Sequence, residues 1–415
     1  MKVFKFGGAS VKDAAGLRNV GTIISSFQDK DIIIVVSAIG KTTNALEKIA
    51  VSAYEGGDYQ EALQSLIAQH TGIAAELGLQ NEFDFFGDML VTLAGQNSHR
   101  SYPQFYDQIV SIGELMSSSL LSQYLLSAGI ANTWVDAREI IKTDNSWREG
   151  QVNWEETLKA VQNTLPAALK SGHVVTQGFI GGAPDGFTTT LGREGSDYTA
   201  AILAHCTNAE GQWIWKDVPG VLSADPKKYP DAVLLPELTY YEAIEMTYYG
   251  ASVIHPKTIY PLQQKQIPLY VRSFLHPEEW GTVIATDNKF IPYPAVIMHK
   301  SGQTLISITP SLTTFVGDMQ MANIYAIFSR HKLRINTIQI AAQSVSIVVD
   351  YDAYLLESLM ADLKASYSKV GVRENTDLQL LTVRHYNEDL LKKLMGDKKV
   401  YLEQRSRSTV QFLFE

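Results

Sequence analysis

A chain of 415 residues is longer than one compact domain usually reaches, so two or three domains are expected. With 45% hydrophobic and 19% charged residues it reads as an ordinary globular protein, and a formal net charge of −9 argues against nucleic acid or an anionic membrane surface as partner. The single cysteine, Cys206, excludes an intrachain disulfide and a thiolate metal cage.

The opening Met1-Lys-Val-Phe-Lys-Phe-Gly7 enters a strand pattern at once, and no apolar run approaches a membrane span, so a cytoplasmic protein is expected. Lys2 to Phe6 alternates and stops at Gly7-Gly8, ahead of a helix from about Asp13. Lys5 stands at the strand's end beside two residues without side chains, where a phosphate can approach backbone and ammonium together. A solvated strand-end lysine is the plainer alternative. Ile32 to Val36 is a β-branched run suited to a strand buried on both faces, and it feeds Ser37-Ala-Ile-Gly40-Lys41-Thr42-Thr43. A P-loop would need glycine five positions before Gly40, and position 35 is valine.

Residues 46 to 108 are mostly helical in pattern and form either a lid or plain packing. Val110-Ser-Ile-Gly-Glu114 leads into a Leu/Ser helix reaching about Ser127, with Glu114 read at its start, where the helix dipole favours a carboxylate. A strand at Ala131 to Val135, a helix from Glu155 to Lys170 and a strand at Val174 to Ile180 follow. Next comes Thr188-Thr-Thr-Leu-Gly-Arg-Glu-Gly-Ser-Asp-Tyr-Thr-Ala-Ala201, opening an Ala/Leu-rich helix that ends near Cys206. Gly192 and Gly195 bracket Arg193, Ser196 is expected as the helix N-cap, and Asp197 lies in the first turn. That junction aims backbone N–H groups and a cation at an anion, or is simply a well-capped turn. Gln212 to Trp215 reads as a strand, and 216–228 as a long irregular loop. A helix at Tyr240 to Tyr249 stops at Gly250, another starts near Pro256, and Leu269 to Phe274 is a strand.

Alternating strands and helices imply a three-layer α/β domain with a largely parallel sheet, whose glycine turns gather at the strands' C-terminal edge. A boundary is expected between 285 and 302. Beyond it a βαββα order over 304–366, then a strand, a short helix near 387–394 and two strands, suggest small α+β sandwich modules. The last of these reads as shortened.

The ordered set Lys5-Phe-Gly-Gly8, Val36-Ser-Ala38, Gly113-Glu114, Thr190-Leu-Gly-Arg-Glu-Gly-Ser-Asp-Tyr198, Asp217-Val-Pro-Gly220, Asp225-Pro226 and Gly250-Ala followed by His255-Pro256 closely resembles the aspartokinase branch of the amino-acid kinase family. The likeness runs over essentially the whole chain. It implies an amino-acid kinase-like catalytic domain over 1–290, with 46–108 as a helical insertion or lid, and an ACT-like regulatory region over 300–415. It also implies transfer of the ATP γ-phosphoryl group to the side-chain carboxylate of L-aspartate, giving 4-phospho-L-aspartate, the first step toward lysine, threonine and methionine.

Carried over by resemblance, Lys5 and Asp197 are catalytic. Gly7, Gly8, Ser10, Ser37, Gly40, Lys216, Asp217, Leu222, Lys227 and Ser252 serve phosphate and nucleotide, while Thr43, Glu114, Arg193 and Ser196 serve aspartate. Mg²⁺ is expected to be held mainly through the nucleotide phosphates, and a homodimer or higher oligomer to form through the ACT-like region. The chain departs from the family pattern at Ala9, Glu194, Lys216, Leu222, Lys227 and Ser252, where the family usually carries Thr, Gly, Thr, Tyr, Arg and Lys. Asn336 stands where lysine-inhibited members often carry Asp, so the effector is left open.

The chemistry agrees with that reading. A side-chain carboxylate with a reference pKa of about 3.9 is already the nucleophile at neutral pH, so no general base is required. The barrier is anion–anion repulsion, about 4 kcal/mol per charge pair at ~4 Å and an effective dielectric of ~20. Cations and aligned N–H groups relieve it. Two alternatives remain at this stage: a family member acting on another carboxylate, and a non-catalytic homologue that binds effectors.

Overall fold

The computed structural model describes residues 1–27, 31–79, 84–95, 101–251, 254–286, 291–310, 315–367, 369–373 and 378–415. The chain divides into two units. The first comprises Met1–Val221, Leu234–Thr247 and Ser252–Ile291; the second comprises Leu222–Val233, Tyr248–Ala251 and Pro292–Glu415.

The first unit begins with β1 (Lys2–Phe6), α1 (Ala14–Ser26) and β2 (Ile32–Val36), followed by α2 (Thr42–Tyr54), α3 (Gln60–Glu76), α4 (Asp84–Ala94) and α5 (Tyr102–Ser127). It continues through β3 (Asn132–Val135), α6 (Ala137–Ile140), α7 (Trp154–Leu169), β4 (His173–Gln177), β5 (Ile180–Gly182), β6 (Thr188–Thr190), α8 (Gly195–Thr207) and β7 (Gly211–Lys216). The elements β8 (Glu237–Thr239), α9 (Tyr240–Tyr248), α10 (Pro256–Lys265), β9 (Leu269–Ser273) and β10 (Thr282–Ala285) complete the run.

Eight strands form one sheet in the order β3-β4-β2-β1-β7-β9-β10-β8, in which only the β9–β10 pairing is antiparallel. Parallel neighbours need crossover connections, and the helices supply them. All five residues of β2 are buried, as expected of a β-branched strand covered on both faces. The central β1 pairs Phe6 with Val36 on one side and with Trp215 on the other, so three strand ends stop level with one another.

Two predicted boundaries are corrected. Glu114 does not start a helix: α5 begins at Tyr102, with Pro103 in its first turn, and runs unbroken to Ser127. Gly113 does not interrupt it, because its bare Cα lets α2 press close; a Cβ there would meet Thr42 Cγ2 at 2.8 Å and Leu46 Cδ1 at 2.9 Å. The predicted strand Val174–Ile180 is two strands. β4 ends at Gln177, the chain bends at Phe179 (φ 71°), and Ile180 opens the small antiparallel β5–β6 sheet.

The second unit holds β11 (Val296–Lys300), β12 (Gln303–Thr309), α11 (Asp318–Arg330), β13 (Ile335–Ile340), β14 (Val345–Asp350), α12 (Ala353–Ser366), β15 (Lys369–Arg373), β16 (Gln379–Arg384), α13 (Glu388–Met395), β17 (Val400–Arg405) and β18 (Thr409–Phe414). They form two antiparallel sheets ordered β13-β14-β12-β15 and β11-β16-β18-β17. The first has the complete βαββαβ succession. The second is filled by β11, a strand that precedes the first module and falls inside the predicted boundary, and its eight-residue α13 lies between β16 and β17. Leu305 and Val348 from one sheet pack with Leu380, Leu402 and Leu413 from the other, so the two modules share an apolar layer.

Candidate active site

The site grows from the ends of β1, β2 and β7. Gly8 follows β1, and a Cβ added to it would lie 2.7 Å from Ala38 O and 2.8 Å from Gly40 O. Only glycine lets the turn after β1 meet the turn after β2, and Gly40 N donates to Gly8 O at 3.0 Å. Ser37 N donates to Phe6 O at 3.0 Å, and Ser117 Oγ of α5 donates to Ser37 O at 2.6 Å. Buried Ser10 reaches across to Trp215 O at 3.3 Å.

Lys5 is buried at the end of β1, and its ammonium lies over Gly7, where an added Cβ would approach Nζ to 3.4 Å. Lys5 Nζ is 2.6 Å from Asp197 Oδ1, and Lys216 Nζ is 3.8 Å from Asp197 Oδ2. Burial pushes the Asp197 carboxyl up, but the two ammoniums outweigh it and hold it below the usual carboxylate range. Asp197 is therefore a fixed anion that orders two cations.

Glu114, in the middle of α5, is buried in the same cluster. Burial pushes its carboxyl up to about 8, against the opposing pull of the Ala38 N–H and the Lys5 ammonium. Its Oε2 is buried without a hydrogen-bond partner among the described residues. A buried carboxyl with one open oxygen suits an incoming ammonium, which would draw it into the charged form.

The turn before α8 corrects another expectation. Ser196 is not the N-cap; Glu194 occupies that position, in the left-handed region (φ 53°) and without a side-chain cap bond. The reason is local: Gly192 (φ 75°) turns the chain and accepts from Gly195 N at 3.0 Å, so the helix starts one residue before the serine. Ser196 is buried against Gly178, whose hypothetical Cβ would lie 2.4 Å from Ser196 Cβ. Arg193 is exposed in this turn and has no ion pair among the described residues.

Thr43 is half-buried in the first turn of α2, and Asp217 is exposed just past β7. Leu222 and Lys227 belong to the segment that groups with the second unit, where Lys227 N donates to Asp225 Oδ1 at 2.9 Å. Ser252 lies outside the described residues.

Sequence reading missed Asp107 and Gln108, which dock β6 onto α5. Asp107 accepts from Arg148 N (2.8 Å), Thr190 N (3.0 Å) and Thr190 Oγ1 (2.8 Å). Gln108 makes two bonds with the Thr188 backbone, at 2.8 and 3.1 Å. Together they place the turn at 191–197. The available signal was the pair Asp107 and Glu114 within the largely apolar stretch from Phe105 to Met116, which a surface face would not explain.

The Amino acid kinase family matches residues 1–273. The chain is similar to lysine-sensitive aspartokinase 3 of Escherichia coli (strain K12), 32% identical over 391 residues that cover 91% of this chain and 86% of that one. It is also similar to bifunctional aspartokinase/homoserine dehydrogenase 2, chloroplastic, of Arabidopsis thaliana, 33% identical over 68% of this chain, and it spans about a third (32%) of that protein's length. In structure it is similar to E. coli aspartokinase III crystallised with aspartate and ADP, with a TM-score of 0.86 at 29% identity over 100% of this chain and 96% of that one. The chain belongs to the amino acid kinase family and, within it, to the aspartokinases.

Proposed function

We propose that the chain transfers the γ-phosphoryl group of ATP to the side-chain carboxylate of L-aspartate, giving 4-phospho-L-aspartate and ADP. The observation that carries this reading is the buried Lys5–Asp197–Lys216 cluster at the ends of β1 and β7, beside the first turn of α8. It is supported by the similarity to an aspartokinase crystallised with aspartate and ADP.

In the reaction, an ionised aspartate side-chain oxygen attacks the γ-phosphorus. The bond from that phosphorus to the bridging oxygen breaks, and the electron pair leaves on ADP. No proton need be removed from the nucleophile at neutral pH. Lys5 faces the transferring group over Gly7, where the missing side chain lets phosphate oxygens reach backbone N–H groups as well as the ammonium. Asp197 keeps Lys5 and Lys216 in place, so charge stabilisation needs little rearrangement as the transition state forms. Glu114 takes the substrate ammonium and Arg193 clamps its α-carboxylate, with Thr43 and Ser196 as hydroxyl partners. Ser10, Ser37, Gly40 and Asp217 complete the nucleotide side of this proposal, and the resemblance alone carries Leu222, Lys227 and Ser252 to it.

Among the described residues no three His, Cys, Asp or Glu side chains converge as a metal cage. As part of the same proposal, a Mg²⁺ ion would be held through the nucleotide's own phosphates, where it would neutralise charge on their oxygens. We also propose 1–290 as catalytic domain with 46–108 as its lid, and 300–415 as a regulatory, pairing region. Exposed Phe315, Met319, Tyr325 and Ile340 support pairing of two copies there. A cytoplasmic location is kept as part of the same reading.

The test is a hydroxylamine trap for the acyl phosphate, with ATP and either aspartate or glutamate. A hydroxamate with aspartate, and little with glutamate, is expected. Signal with glutamate alone would overturn the substrate.

A further inference from the structure

Arg148 has no part in the chemistry described above, yet its backbone is strained. It lies in the connection between α6 and α7, in the left-handed region (φ 69°), which a non-glycine residue keeps only where its surroundings enforce it. Three contacts do so. Its N–H donates to Asp107 Oδ2 at 2.8 Å. Its guanidinium lies over the ring of Tyr106, 4.3 Å from the centroid. Its carbonyl oxygen lies against Gly192, where an added Cβ would come within 3.4 Å of that oxygen and 3.3 Å of Glu149 Cγ.

Those contacts lead to the aspartate side of the proposed site. Gly192 is the left-handed hinge of the turn that carries Arg193, and Gly150 N donates to Thr190 O at 2.8 Å, so residues 148–150 run along the chain that enters the turn. On the other side, Tyr106 is buried on α5, and its hydroxyl donates to Glu47 Oε1, one turn beyond Thr43 on α2. Arg148 thus joins the two elements that present Thr43 and Arg193. Asp107 holds the strand before the turn, whereas Arg148 bears on the hinge itself. We infer that Arg148 is a positioning residue for aspartate binding: stacked on Tyr106, it braces the Gly192 hinge and so fixes where the Arg193 guanidinium meets the substrate's α-carboxylate.

The inference rests on the proposed aspartate reading, and the experiment separates the two. Arg148→Asn and Arg148→Gly both accept a left-handed backbone, so the fold is kept, but neither has a guanidinium to stack. Steady-state kinetics give the KM for aspartate and for ATP in the unmodified chain, in both variants, in Arg193→Ala and in the double variants. Each Arg148 variant is expected to raise the aspartate KM about five- to tenfold, with kcat and the ATP KM changed less than about twofold. In the Arg193→Ala background the same changes should add less than about twofold, because a residue acting through Arg193 has nothing left to position. An unchanged aspartate KM, a loss shared equally by both substrates, or equal effects in both backgrounds would overturn the positioning role while leaving the aspartate reading intact. Absence of hydroxamate with aspartate from the unmodified chain would overturn both.

Discussion

Lys5, at the end of the first strand, and Asp197, in the first turn of α8, meet in a buried ion pair with Nζ and Oδ1 2.6 Å apart. Two buried charges are costly unless paired, and each supplies the other's partner here. Lys5→Ala is therefore expected to lower kcat by about two to three orders of magnitude, the range typical of losing one preorganised stabilising group. ATP affinity should fall much less, because Lys216 remains. Single-turnover phosphoryl transfer alongside equilibrium ATP binding checks the split. An unchanged turnover would remove Lys5 from the reaction.

Glu114 makes activity and stability pull in opposite directions. Its carboxyl moves from 4.5 to about 8 on folding, so the folded chain keeps a proton that the unfolded chain releases. Stability contributed by that proton is complete below about 4.5, is lost as pH rises toward 8, and then levels off. Glu114→Gln should abolish this slope and raise the thermal midpoint at pH 8. The KM for aspartate should drop as pH rises through about 8 in the unmodified chain and lose that dependence in the variant. Thermal scans and initial rates from about pH 6.5 to about pH 9.5, roughly one and a half units either side of the titration, measure both.

Asp107 is expected to act through structure alone. It is buried and accepts three hydrogen bonds from Arg148 and Thr190, and burial pushes its carboxyl up to about 6 despite them. Asp107→Ala strands three donors and should cost about 2–4 kcal/mol. Hydrogen exchange at the Thr190 amide should accelerate, and turnover should fall with it because the 191–197 turn loosens. Unaltered exchange at Thr190 would show that β6 is held by other contacts.

Gly8→Ala tests the meeting of the first two turns. The added methyl would lie 2.7 Å from Ala38 O and 2.8 Å from Gly40 O, both backbone atoms that cannot rotate away. The turns must separate, at a cost of about 1–3 kcal/mol for overpacking. ATP binding should weaken more than tenfold, on the order of the penalty. Calorimetry on the variant decides it, and retention of the original affinity would exclude a close phosphate approach at Gly8.

Much of this architecture was legible in the chain itself. Ile32–Val36 announces a strand buried on both faces because five consecutive β-branched residues admit no solvent side. The glycines at 7, 8, 40 and 192 mark places where backbone must turn or approach closely. The motif order pointed to the family, and the resemblance named Lys5 and Asp197 as catalytic without showing that the two side chains meet. α5 was misread because Gly113 looks like punctuation, whereas its missing side chain serves helix packing. Ser196 was misread because capping preference ignores the extra turn that Gly192 introduces.

The amino-acid sequence by itself therefore determined the longer strands and helices, where the glycine turns lie, and which ionisable groups were available for phosphoryl transfer. These are consequences of local periodicity and residue chemistry. Only the tertiary structure decided that Glu114 sits in mid-helix with its carboxyl pushed up to about 8, that Asp107 and Gln108 brace β6, and that Asp197 gathers both Lys5 and Lys216. Burial and long-range charge pairing depend on residues far apart in the chain, so no local pattern encodes them.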